Sequence, residues 1–172
     1  MGYEKTILCL AASRKPDGRC FAGKEIGQRA LGSWLRPISS RETESISNAD
    51  SKYKNNGNAN LLDKIRIDFV GPRPAGFQTE NHLIDETAYW EKTETGTWDE
   101  VVDALDHLEG PLWVDKNSTY HGHNDKIVEA DTAGLNTSLY LVCPRDLNIS
   151  VGWESKYGGG KERHVRASFY LN

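Results

Sequence analysis

Cysteine is scarce and badly placed for structure or metal. Cys9, Cys20 and Cys143 leave one thiol unpaired under any disulfide scheme, and none has a C-x-x-C neighbour. A disulfide framework and a cysteine-built zinc site are therefore poor descriptions, and reduced thiols in a cytoplasmic protein are the simpler expectation. Long apolar runs are missing as well. The one near the N-terminus, Thr6 to Ala12, is too short for a signal-peptide core and lacks a basic region before it, and no segment approaches a membrane span. Gly2 and Thr6 fit the loose myristoylation pattern, but so short a pattern recurs by chance, and no membrane partner is expected. Catalytic motifs are absent too. There is no Ser in a Gly-x-Ser-x-Gly setting and no Walker loop, and the acidic residues do not fall at nuclease-like spacing. Neither a catalytic residue nor a cofactor is expected.

What is present describes a globular chain of about one domain, 172 residues with 37% hydrophobic and 27% charged. Its net charge of −4 hides an uneven distribution. Residues 1–44 hold eight Lys/Arg against five Asp/Glu, residues 45–143 eight against seventeen, and residues 144–172 five against three. Phosphate binding depends on local charge, so a basic patch drawn from the two ends is compatible with an acidic centre, itself most simply a solvated face.

Strand signals dominate. Thr6 to Ala12 reads as a buried strand, and Pro16-Asp17-Gly18 supplies a turn before Arg19 to Ala22, which places Arg14, Lys15 and Arg19 at a hairpin tip. Ile65, Ile67 and Phe69 alternate with Lys64, Arg66 and Asp68, the pattern of a strand with one wet side. The same period returns in Ile149, Val151 and Trp153 and in Val165, Ala167, Phe169 and Leu171, with Gly158-Gly159-Gly160 between them as a hairpin turn. Further strands are expected at Ser33 to Ile38, Leu112 to Val114 and Leu139 to Val142. One helix is expected at about 97–109, where Thr97 to Glu100 forms a capping box and Trp98, Val101, Val102, Leu105 and Leu108 recur at helical spacing. Ser39 to Asn60 and Lys116 to Gly134 read as long polar loops. Gly71 to Gly76, with two prolines, is the best boundary between halves at 1–72 and 73–172.

Cys9 to Lys15, Gly18-Arg19-Cys20 and Gly32-Ser33-Trp34-Leu35-Arg36-Pro37-Ile38-Ser39, together with Gln78-Thr79-Glu80-Asn81 and Arg166-Ala167-Ser168-Phe169, resemble the bacterial dual-OB domain family. The resemblance implies a mainly β fold of two consecutive small OB-like β-barrels, and the amphipathic helix is expected to pack on the second. It also implies continuation past the Arg166 to Phe169 strand into a further one. A second barrel ending at Asn172 would be open or completed by another chain.

Barrels of this type combine a positive groove with stacking rings. The matching residues here are Arg14, Lys15, Arg19, Lys24, Trp34 and Arg36, extended by Lys161, Arg163 and Arg166 beside the C-terminal glycines. For the charges, the plain alternative is a solvated hairpin tip. A Trp in a short strand is as a rule a core residue, so whether Trp34 faces outward decides its part. His121-Gly122-His123 resembles a metal pair superficially but lacks a third ligand close in sequence, and no metal is expected. The function these features favour is non-catalytic binding of nucleic acid, DNA or RNA, preferably single-stranded. A protein-interaction module and a sensor or accessory domain for a nucleotide or small molecule are the alternatives.

Overall fold

The apolar run Thr6 to Ala12 lies within β1, Tyr3–Lys15, a strand long enough to serve two partners. Its first half pairs with β4, Asp63–Pro72, with Tyr3 opposite Phe69 and Leu8 opposite Lys64. Its second half pairs with β2, Gly18–Ile26, down to Lys15 opposite Gly18, and a register shift between Cys9 and Ala11 lets the strand turn from one partner to the other. The computed structural model describes residues 2–15, 17–27, 30–108, 127–156 and 158–171, grouped in two units, Met1–Tyr140 and Leu141–Asn172.

In the first unit β2 pairs with β3, Leu31–Ile38, and β3 runs parallel to β5, Asn81–Ile84, which in turn lies antiparallel to β4. The order β1-β2-β3-β5-β4 thus returns to β1, and β6, Glu91–Thr95, pairs with the start of β4 along the same edge that β5 takes further on. A strand with a partner on each side has no free edge to expose. Gly71 to Gly76 spans the end of β4 and the start of its connection to β5 inside this sheet. Gly23 stands opposite Leu35, where a Cβ would come within 2.1 Å of the Leu8 carbonyl oxygen, so β1 and β2 can approach there only across a glycine.

The core fills the inside of the circuit. Ile65, Ile67 and Phe69 point inward from β4 as their alternation predicts, meeting Ile7, Phe21, Leu35 and Ile84. Phe21 and Trp90 meet edge to face at 5.3 Å. The segment 39–60, expected as a loop without periodicity, also sends Ile46, Tyr53 and Ala59 into this core. It is held by two buried acids. Asp50 takes both guanidinium nitrogens of Arg41, at 2.6 and 3.1 Å, and the Ser47 amide at 2.7 Å. Asp63 accepts from the Tyr53 hydroxyl at 2.8 Å and the Asn60 amide at 3.1 Å, and pairs with Lys92 at 2.5 Å.

Two expectations are corrected. The helix α1 covers only Trp98–Asp103; both halves of its capping box form, but the chain leaves the helix after Ala104. Its last turn carries no basic residue to complement the dipole, and Trp98, Val102 and Leu105 on its apolar stripe stay exposed, so neither electrostatics nor packing extends it. Asp106, just beyond, is committed to contacts with β2 and β3. Nor do residues 139–142 form a strand, because the Thr137 hydroxyl takes the Leu139 amide proton at 3.2 Å. Leu112 to Val114, the expected helix end at Glu109, and the His121 and His123 pair lie outside the described residues.

The second unit is an antiparallel ribbon of β7, Arg145–Ser155, and β8, Lys161–Tyr170. Gly158, Gly159 and Gly160 have φ of +92°, +97° and +90°, conformations that make glycine necessary at its turn. Ile149, Val151 and Trp153 share a face with Val165 and Ala167, and the large members of this face are exposed among the described residues. The protein is mainly β with a single α-helix among these residues, as its sequence indicates.

Burial works against the charge of Asp50, but the Arg41 and Ser47 hydrogen bonds prevail and hold its carboxyl below the ordinary 3.8. The stability it supplies is therefore full above that value and lost as pH falls through the lowered folded one. Asp50→Asn should cost about 1–3 kcal/mol near neutrality. Urea unfolding should show the gap between variant and wild type closing below pH 3.8; a constant gap contradicts the assignment.

Candidate functional site

The structure divides the sequence-predicted residues into three places. At the β1–β2 tip, Arg14 stands directly opposite Arg19 in the ladder, and the Lys15 ammonium donates to the Thr43 carbonyl at 2.9 Å. Like charges opposite one another on a ladder repel, and an anion bound between them would relieve that cost. Arg14 is exposed, and its side chain makes no hydrogen bond or ion pair among the described residues.

Lys24, Trp34 and Arg36 form the second place. Five positions along β2 separate Arg19 from Lys24, roughly 17 Å at strand spacing. Lys24 is the ladder partner of Trp34, and both point away from the core because their neighbours Gly23 and Leu35 are the inward pair. The Lys24 ammonium lies 5.6 Å from the Trp34 ring centre and bonds Asp106 Oδ1 at 2.5 Å, while the indole N–H donates to Asp106 Oδ2 at 2.9 Å. One carboxylate thereby fixes the ring and neutralises the cation beside it. Trp34 is only partly buried.

Arg36 is held differently. Its Nε donates to Asn81 Oδ1 at 2.6 Å and its NH2 group lies 3.4 Å from Glu80 Oε1, with the two side chains 13% and 3% exposed. The guanidinium binds β3 to the chain entering β5 rather than facing solvent. Lys161, Arg163 and Arg166 occupy the third place, on β8 of the separate ribbon. Arg166 is tied to Glu154 through Nε and NH2 at 2.8 and 2.5 Å, whereas Lys161 and Arg163 are exposed.

Beside Trp34 opens a cleft of about 370 Å³. Its walls come from β3 (Ser33, Trp34), from Thr79, Glu80 and His82 at β5, from Asp106 and from the segment Asn136 to Tyr140. That last segment is secured by two hydroxyl bonds, Thr79 Oγ1 to the Asn136 carbonyl at 2.5 Å and Ser138 Oγ to Glu80 Oε1. The His82 ring is bonded through Nδ1 to the Tyr3 hydroxyl. Burial, and then the Lys5 charge, hold His82 below its ordinary value of 6.5, which keeps the cleft wall neutral there at physiological pH. No group of three or more His, Cys, Asp or Glu suited to a metal occurs among the described residues. Cys9, the thiol one would test as a nucleophile, is fully buried, and burial followed by the Asp63 charge pushes it up to about 12. It is inert.

A family model for the dual OB-containing domain matches residues 5–172. The chain belongs to this family. No curated protein and no solved structure matches it. In this dual OB-containing domain the sequence singles out Trp34 and its basic neighbours but misses Glu80, His82, Asp106 and Asn136 as cleft residues. Gln78-Thr79-Glu80-Asn81 carried a signal, since it is among the segments that resemble the family. Asp106 carried none, because on a longer helix it would lie on the solvated acidic face. No helix among the described residues is long and apolar enough to cross a membrane.

Since the folded His82 is the neutral form, its contribution to stability is full above 6.5 and lost as pH falls through the lowered folded value. Thermal unfolding followed downward from 6.5 should show a loss that His82→Gln removes. Identical pH profiles for the two proteins would contradict the neutral, buried assignment.

Proposed function

We propose that this domain binds single-stranded nucleic acid without catalysis, passing the strand across the outer face of β2 and β3. The observation that carries the reading is Trp34, a half-buried ring held by Asp106 in the wall of a cleft. The pairing order β1-β2-β3-β5-β4, with its one parallel contact between β3 and β5, supports an OB-type barrel for the first unit, and OB barrels present strands 2 and 3 and the β1–β2 and β4–β5 loops to their ligands. Here Arg14, Lys15 and Arg19 flank the first of these loops, and the second carries Thr79 and Glu80.

In this reading Arg14, Lys15 and Arg19 contact phosphates, Trp34 stacks on a base, and Lys24 and Arg36 position the surface that receives it. A second OB-type barrel would include β7 and β8, where Lys161 and Arg163 are exposed cations and Arg166 is held by Glu154. Reduced thiols at Cys9, Cys20 and Cys143 suit a cytoplasmic setting.

A fluorescence-anisotropy titration with a labelled single strand and its duplex tests the reading. The strand should bind more tightly than the duplex. Trp34→Ala should weaken binding by about 1–3 kcal/mol, the range for one lost stack. Arg14→Ala with Arg19→Ala should flatten the salt dependence by about 0.7 in log–log slope per contact removed. Affinity indifferent to salt and to all three substitutions would overturn the proposal.

A further inference from the structure

We propose that the face of the β7–β8 ribbon carrying Trp153 is a second contact for single-stranded nucleic acid, with a base stacked on Trp153 and flanking phosphates held by Lys161 and Arg163. The inference rests on the single-strand reading and adds to it a site that the ribbon supplies by itself.

The ladder sorts the ribbon's charges by face. Ile149, Val151, Trp153 and Ser155 stand opposite Ala167, Val165, Arg163 and Lys161 and share one face with them. No acid lies on that face from Ile149 to Ser155 or from Lys161 to Ala167. The acids of these stretches, Glu154 and Glu162, fall on the opposite face, where Glu154 pairs with Arg166 and Glu162 has His164 at 3.1 Å and Lys156 at 3.6 Å. The side chains of Lys161 and Arg163 are exposed and make no hydrogen bond or ion pair among the described residues. The Trp153 face is thus apolar and positive at once, and nothing on it neutralises the charge.

Its central pair repeats one already met in the first unit. Lys24 is the ladder partner of Trp34, and Arg163 is the ladder partner of Trp153. Residues directly opposed across an antiparallel ladder have Cβ atoms about 4.5–5.5 Å apart, which sets a cation beside an aromatic ring, the combination that holds a backbone phosphate and stacks a neighbouring base. The two pairs differ in freedom. Asp106 engages both Lys24 and Trp34, whereas Trp153 is 66% exposed and Arg163 has no acid beside it. Arginine also brings a planar guanidinium that stacks as well as pairs.

The chemistry of the face selects its partner. A contiguous exposed apolar surface marks an interaction site, and Ile149, Val151 and Val165 extend the platform of Trp153. Uncompensated cations beside it call for an anion. A polyanion that also offers flat rings answers both demands; a single strand does so, while a duplex keeps its bases stacked inside. An anionic lipid surface would answer the charge, but the outer edges of the ribbon carry backbone N–H and C=O groups that no strand pairs among the described residues, and hydrocarbon would leave them unsatisfied. Exposure alone does not make such a site. Trp98 is 72% exposed, yet it opens α1 beside Asp99 and Glu100, which repel phosphate.

The test uses the full chain and a single strand containing 5-iodouracil, cross-linked by near-ultraviolet light, with the labelled residues mapped by mass spectrometry and affinity read by anisotropy. Trp34 and Trp153 should both carry label and Trp98 should not. Trp153→Ala should remove the ribbon label and weaken binding by about 5- to 150-fold, the range for one lost stack. Arg163→Glu, at an exposed position, should diminish the ribbon label as well, so the question is still decided should Trp153→Ala fail to fold. Label at Trp34 with none on the ribbon overturns the second site and leaves the single-strand reading standing. Label on the ribbon alone supports the second site and overturns the placement at Trp34. Equal label on Trp98 and Trp153 overturns the site, since contact would then follow exposure without regard to charge. Binding to phosphatidylserine vesicles that Arg163→Glu abolishes, with no ribbon label, gives the face to lipid and overturns it too. Absence of label together with unchanged anisotropy overturns both readings.

Discussion

The seat of β5 is the constraint on which the rest of the first unit depends. β5 has only four residues, too few to stand without help, yet it must lie parallel to β3 and antiparallel to β4 to bring the pairing circuit back to β1. Arg36 and Asn81 secure it. The Arg36 amide donates to the Glu80 carbonyl at 2.7 Å, its Nε bonds Asn81 Oδ1 at 2.6 Å, and the Arg73 amide takes the Asn81 carbonyl at 2.8 Å. Asn81 is completely buried. Breaking a buried ion pair by removing one partner typically costs about 3–5 kcal/mol. Here the loss would extend beyond the pair, because Thr79, Glu80 and His82 are cleft walls only while β5 stays seated.

A second device of the same kind sets the opposite wall. Asp106 gathers the Lys24 ammonium and the Trp34 indole N–H, and the chain abandons its helix in time to deliver that carboxylate. The acidic centre of the sequence is thereby put to work in pairs: Asp50 with Arg41, Asp63 with Lys92, Glu80 with Arg36, Asp106 with Lys24, and Glu94 and Glu100 with Lys64. Regional sums of charge misdescribe such a protein. At the β1–β2 tip, by contrast, Arg14 and Arg19 stand opposite each other, like charge against like charge.

Elements with a strong period were legible. β1, β3 and β4 lie where apolar runs or alternation place them, and the C-terminal hairpin turns at its three glycines. β5 and β6 were not, because Asn81 to Ile84 is too short for a period to show and Glu91–Thr95 is exposed along its whole length. The helix was overextended because an apolar stripe at helical spacing says nothing about whether a partner surface exists. Polar composition hid the contribution of residues 39–60 to the core, since three apolar residues among many polar ones leave no periodic trace. At the site, Trp34 was found by residue type, while Glu80 and Asp106 gain meaning only from partners 44 and 72 or more positions away in the chain. Pairings at such separations are tertiary facts that no local pattern encodes.

The surface on β3 and β5 is tested most directly by heteronuclear NMR of the labelled protein during titration with a single strand of mixed sequence. The largest shifts should fall on the Trp34 indole N–H and on the amides of Thr79, Glu80, Asn136 and Tyr140, with smaller changes at Arg14 and Arg19. Shifts that leave the Trp34 indole and its cleft neighbours unmoved while other residues respond would contradict it.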